Sequence, residues 1–361
     1  MEKEEEKGFF DQKEHEVLSI ALSNSFIALG TPNGYKIYTL NPIKLIKDKD
    51  MGGGIRHIGF YNQDKIIWFV GGGNLPAVPE NEFRLWDNHN DEELCKVVAE
   101  SKINSIKIKS NVLAVVLSEK TVFHNLPLSD KYKTFETATN PYGVIAISPL
   151  EGFTTAAYLG EEPGTLIVYD YAKEELQAMI EGNSDEEYYI TALELNSVGS
   201  ILACATSEGC TVHLYDTKDG TKLRDYTRGS APSTINFISF QLDDTRLLIS
   251  SEAGTIHIFM NDITQEGQEG QPVNDISVFS FLGPLIPYLG KIGSYCKFRT
   301  PELYKIAMMP SEGSLIVLSS TGKLYLSNIN VEEGGEAILD TKKTLTDCLL
   351  VQKNIYLPKN N

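Results

Sequence analysis

In this 361-residue sequence the residues best placed to trade protons are adjacent carboxylates, Glu161-Glu162 and Asp243-Asp244. Two carboxyl groups in contact can share a proton and act as acid and base. Both pairs lie in turns, where each charge is simply solvated. The sequence carries no nucleophile elbow, Walker loop or dinucleotide fingerprint, and no cluster of metal ligands. Arg228-Gly229 and His257 by themselves read as a surface arginine and a packed histidine. The chain is therefore read as a binding protein and not an enzyme, with neither cofactor nor metal.

Composition narrows the ligands. A net charge of −17 repels nucleic acid and anionic lipid alike, so a phosphate could be held only in a local basic pocket. No nucleic-acid partner is expected. Cys95, Cys204, Cys210, Cys296 and Cys348 are odd in number and contain no CxxC pair, which fits reduced thiols in the cytoplasm rather than zinc or disulfides. The charged tail at 1–14 lacks the apolar run of a signal peptide, and no stretch reaches the ~18 apolar residues of a transmembrane helix. Seventeen Tyr and 15 Phe, with many Val, Ile and Thr, favour strands.

A repeat sets the elements. A polar turn, usually with glycine, precedes a short alternating strand that ends near an aromatic residue. It occurs at Gly34 before Tyr35–Tyr38, Gly164 before Thr165–Asp170, Gly209 before Thr211–Asp216, Gly254 before Thr255–Phe259 and Gly322 before Lys323–Leu326. Two copies without the glycine end at Trp86-Asp87 and at Phe123. Gly164, Gly209 and Gly254 are spaced 45 residues apart, within the ~40–45 of a WD40-like blade. Such a unit cannot bury its own face and must stack on neighbours. The expected fold is all-β: a seven-bladed WD40-like β-propeller over 15–350, flanked by tails at 1–14 and 351–361.

The interval from Gly254 to Gly322 is too long for one repeat, so an insertion is expected in blade six at 263–297. It opens with polar, low-complexity sequence and turns apolar at 278–292. Val278, Phe281, Leu282, Leu285, Ile286, Leu289 and Ile292 fall at helical spacing, interrupted by Pro284 and Pro287. Such a stretch is too short to span a bilayer and long enough to lie in its interface. It could equally fold back over a sheet edge.

With these features the chain resembles the PROPPINs, WD40-like propellers that bind phosphoinositides in autophagy and endosomal traffic. The likeness covers most of the chain. Met51-Gly52-Gly53-Gly54-Ile55, Trp68-Phe69-Val70-Gly71-Gly72-Gly73-Asn74, Pro79 and Trp86-Asp87 are similar to the family's second blade. Tyr226-Thr227-Arg228-Gly229 stands where the family carries Phe/Leu-Arg-Arg-Gly, after Tyr215-Asp216-Thr217 and before Ile235–Phe240.

The resemblance implies two headgroup pockets on either side of the motif, because successive strand side chains alternate. It assigns Arg228, Gly229, Ser250, Ser251, Thr255 and His257 to an intact second pocket, whose hydroxyls, guanidinium and imidazole are donors that a phosphorylated inositol needs. Thr206, Ser207, His213 and Thr227 fall in a degenerate first pocket. Thr227 replaces an arginine and cannot clamp a phosphate in bidentate fashion. His213 also stands where an arginine is usual, and the acidic run Asp185-Glu186-Glu187 would repel a phosphate. The insertion corresponds to the family's membrane-inserting loop, with Phe279, Phe281, Leu282, Leu285, Ile286, Tyr288 and Leu289 as inserted side chains.

The implied function is that of a monomeric peripheral effector of PtdIns3P or PtdIns(3,5)P2 on autophagosomal-precursor, endosomal or vacuolar/lysosomal membranes. It would recruit autophagy or trafficking proteins, a bridge-like lipid-transfer protein among them, with the loop around Asn74–Asn81 as the region to watch. The alternative is a propeller scaffold with little or no lipid affinity, favoured by Thr227, the acidic run and the net charge. If His257 or His213 is protonated when it holds phosphate, lipid binding should tighten as the pH falls toward about 6.

Overall fold

The computed structural model describes residues 17–62, 65–109, 111–128, 132–181, 189–263, 291–299 and 304–345. These residues form seven sheets and no helix, so none of them belongs to a helix long and apolar enough to cross a membrane. Each sheet contains an antiparallel meander of four strands taken in chain order, to which the fifth and sixth sheets add a short parallel fifth strand. All seven repeat segments fall in the third strand of a sheet: Gly34–Leu40, Glu82–Asp87, Lys120–Asn125, Leu166–Asp170, Thr211–Asp216, Thr255–Met260 and Lys323–Asn328. The preceding glycines, among them Gly164, Gly209 and Gly254, take positive φ, as the tight turn requires.

Strand position explains strand composition. The second strands, such as Val112–Val116 and Ile201–Thr206, are almost continuously buried and apolar, because sheets pack on both of their faces. The fourth strand of the first sheet, Ile43–Asp50, instead alternates half-buried and exposed residues, with lysine and aspartate outward.

Two compact units are present: Met1–Phe135 with Thr300–Val331 and Ile338–Asn361, and Glu136–Arg299 with Glu332–Ala337. The first contains the first, second, third and seventh sheets; its core includes Ile27, Leu29, Ile316 and Leu324. The second contains the fourth, fifth and sixth. Leu166, Val168 and Ile180 pack against Leu202 and Cys204 between the fourth and fifth sheets. Val212, Leu214 and Tyr226 pack against Leu247, Ile249 and Phe259 between the fifth and sixth.

In the sixth sheet Thr255–Met260 pairs with Cys296–Arg299. Most of the expected insertion, 264–290, lies outside the described residues, and with it Phe279, Phe281, Leu282, Leu285, Ile286, Tyr288 and Leu289. Ile292, grouped with them on helical spacing, sits in a short strand, Lys291–Gly293, that runs parallel along Asp225–Thr227 of the fifth sheet. Cys296 and Lys297, at the end of the 263–297 span, belong to the sixth sheet.

Candidate functional site

The fourth strand of the fifth sheet, Lys222–Thr227, separates two clefts. Tyr226 is fully buried in the core shared with the sixth sheet, and its hydroxyl donates to the Met260 carbonyl at 2.8 Å. Alternation turns Thr227 toward the fourth sheet and Arg228 toward the sixth. The Arg228 amide donates to the Cys210 carbonyl at 2.9 Å and its Nε to the Gly209 carbonyl at 2.7 Å, while Nη2 donates to the Ala231 carbonyl. The guanidinium is thereby anchored on the turn before Thr211. Gly209, at φ 67°, is required there, because a Cβ would strike the Ser233 carbonyl. Gly229 is not: nothing lies within 4 Å of the Cβ it lacks.

On the sixth sheet His257 pairs with Ile249, which places it on the face that meets the fifth sheet. Thr255, two residues earlier, and Ser251, two beyond Ile249, share that face. Ser250 pairs with Ile256 and turns to the opposite face, so strand alternation separates it from the other assigned residues. The Ser251 hydroxyl is buried with no hydrogen-bond partner among the described residues. Across the next ladder Lys297 pairs with His257 and Arg299 with Thr255. Arg299 also meets Glu336 at 3.1 Å, an exposed pair.

His257 lies among these cations and is 5% exposed. Burial, followed by Lys297, Arg228 and Arg299, lowers its pKa to about 4. The imidazole is thus neutral near pH 7, and its Nδ1 lies 3.3 Å from the Ser294 hydroxyl. Both desolvation and three positive charges oppose the imidazolium expected at pH 6.

The other cleft, between the fourth and fifth sheets, encloses a cavity of about 440 Å³ lined in part by Thr206, His213, Glu181, Glu208 and Lys222. His213 Nδ1 is 2.6 Å from the Asp225 carboxylate and Lys222 Nζ is 2.9 Å from it. Burial works against ionisation of Asp225, but hydrogen bonds from Lys222 and His213 outweigh it and hold the carboxyl below the ordinary range. The Thr227 hydroxyl is buried without a partner among the described residues. The Ser207 hydroxyl accepts from the Tyr189 amide at 3.2 Å and so caps a strand. The acidic run at 185–187 lies outside the described residues.

The motif strand thus has an enclosed cavity on one side and a group of cations around His257 on the other. The PROPPIN family profile matches residues 16–281. The chain belongs to the PROPPIN family. Autophagy-related protein 18 of Dictyostelium discoideum is 30% identical over 243 residues, 66% of this chain and 63% of that protein. Autophagy-related protein 18e of Arabidopsis thaliana is 24% identical over 331 residues, 89% of this chain and 86% of that protein. Kluyveromyces lactis Hsv2 with complete loop 6CD superposes with a TM-score of 0.73 at 15% identity, covering 91% of this chain and 99% of that one. KlAtg21, solved in complex with the coiled coil of AgAtg16, gives 0.70 at 15% identity over 91% and 99%. These likenesses give the fold as a seven-bladed β-propeller. Membership places the chain among autophagy-related, phosphoinositide-binding propellers in general, which are generally not enzymes.

Of the residues assigned from the sequence, the structure gathers Arg228, Ser251, Thr255 and His257 at this PROPPIN's second cleft, and Thr206, His213 and Thr227 at its first. Lys297, Arg299 and Ser294 were not anticipated. The alternation Lys297-Phe298-Arg299 was the available signal, masked by its position at the end of the expected insertion.

Proposed function

We propose that this PROPPIN is a peripheral membrane effector that holds one phosphoinositide headgroup, of PtdIns3P or PtdIns(3,5)P2, on the Arg228 face between the fifth and sixth sheets. The observation that carries the reading is the convergence of Arg228, Lys297 and Arg299 on His257 in a protein of net charge −17. Positive charge concentrated against the global sign calls for an anionic ligand. Arg228 and Lys297 supply charge-assisted donors, and Thr255 and the partnerless Ser251 add hydroxyls for the remaining phosphate oxygens. Neutral His257 offers one further hydrogen bond.

One site rather than two is proposed because the first cleft spends His213 and Lys222 on Asp225. The apolar residues from Phe279 to Leu289 act as the second membrane contact, each inserted side chain contributing roughly 1.5–3 kcal/mol. Family membership and the coiled-coil complex of KlAtg21 support recruitment of autophagy proteins; we extend this to a bridge-like lipid-transfer protein and to autophagosomal-precursor, endosomal or vacuolar/lysosomal membranes.

Liposome flotation of the wild type, Arg228→Ala and Lys297→Ala tests the reading, alongside calorimetric stoichiometry with a soluble headgroup. Binding confined to phosphoinositide vesicles, weakened in both variants, and one headgroup per chain are expected. The acidic first cleft and the net charge favour a second reading, a scaffold acting through protein partners alone. Wild type that fails to float on any vesicle would establish it.

A further inference from the structure

We propose that the cleft between the fourth and fifth sheets is a docking site for a basic, apolar peptide segment. An aliphatic side chain enters the cavity while a neighbouring arginine or lysine meets Glu181 and Glu208 at the mouth. At about 440 Å³ the cavity falls within the ~300–1,000 Å³ of ligand pockets.

Depth and charge are segregated in it. Its floor is Leu166, Ile180, Ile190 and Cys204, each at most 7% exposed. Burial there pushes the Cys204 thiol up to about 12. Met179, 54% exposed, stands at the edge, where its unbranched thioether can adapt to an incoming side chain. Glu181 and Glu208 are exposed and, among the described residues, neither forms an ion pair. The two basic side chains of the lining, Lys222 and His213, are both engaged by Asp225. The buried Thr227 hydroxyl on the same face has no partner among the described residues.

The uncompensated charge at the mouth is therefore negative, which repels a phosphate and attracts a cation. The order of groups selects the class of cation. A lipid headgroup offers its charge first, whereas this cleft is apolar within and acidic outside. A peptide that buries an aliphatic side chain and leaves a guanidinium or ammonium at the surface matches that order. No residue of the Arg228 face takes part, so this docking site stands or falls independently of the headgroup reading.

The test uses the full chain with ¹³C-labelled methyl groups on Met179 and Ile190. The probes are a blocked tetrapeptide of two leucines flanked by arginines, the same peptide with glutamates for arginines, and inositol 1,3-bisphosphate. The arginine peptide should shift both methyl resonances, and the other two probes should not. Glu181→Gln combined with Glu208→Gln should weaken the arginine peptide roughly tenfold, as expected for two exposed ion pairs near the top of their range. Added salt should weaken the wild-type complex alike, which keeps the charge test open if the variant folds poorly. Four results would overturn the proposal: no shift with the arginine peptide, equal shifts with both peptides, affinity indifferent to the carboxylates and to salt, or methyl shifts produced by the inositol bisphosphate.

Discussion

His257 carries the sharpest quantitative consequence of the Arg228 face. Its pKa of about 4 compares with about 6.5 in an unfolded chain. The folded value lies below the unfolded one, so as the pH falls the unfolded chain takes up this proton first. The residue's contribution to stability is full above about pH 6.5 and is lost as the pH falls toward 4. At about 1.36 kcal/mol per pKa unit, the loss between about pH 7.5 and 4.5 comes to roughly 2.5 kcal/mol. His57, also held at about 4 chiefly by burial, titrates in the same window, so a difference measurement is needed. Denaturant unfolding of the wild type and of His257→Asn at both pH values isolates one imidazole. The wild type should lose about 2–3 kcal/mol more than the variant. A difference below about 0.5 kcal/mol, the scatter of ordinary surface changes, would refute the argument, because the imidazole would then be solvated or already charged. A neutral His257 also predicts that affinity for a soluble headgroup stays within about twofold from about pH 7.5 to 6.5.

Three further outcomes follow from the same geometry. Gly209→Ala should cost about 1–2 kcal/mol for a left-handed backbone, and more for displacing the Ser233 carbonyl, whereas Gly229→Ala should leave the denaturation midpoint unchanged. Tyr226→Phe removes the buried hydroxyl that reaches Met260 and should lower stability by about 1 kcal/mol in the same unfolding assay. Asp225→Asn releases His213 and Lys222 and should raise headgroup stoichiometry in calorimetry from one toward two. An unchanged stoichiometry would mean that Asp225 is not what closes the first cleft to phosphate.

The repeat was legible because each third strand must turn on a glycine or a polar residue and then alternate, and these are local requirements written into consecutive residues. The seven third strands from Gly34–Leu40 to Lys323–Asn328 are therefore visible without any structure. Family resemblance supplied Arg228, Thr255 and His257, and local alternation could have separated Ser250 from Ser251. What no linear reading supplied was the charge state of His257, since it depends on burial and on Lys297, which reaches the site across a ladder from the far end of the expected insertion. The same holds for Asp225. In sequence it is one carboxylate among many, but across the ladder from His213 and near Lys222 it decides which cations remain available. The sequence by itself determined the strands, their order and the polarity of their faces, all of which follow from side chains a few residues apart. Only the tertiary structure decided which cleft keeps its positive charge, because electrostatic balance is set by the distances between groups that folding brings together.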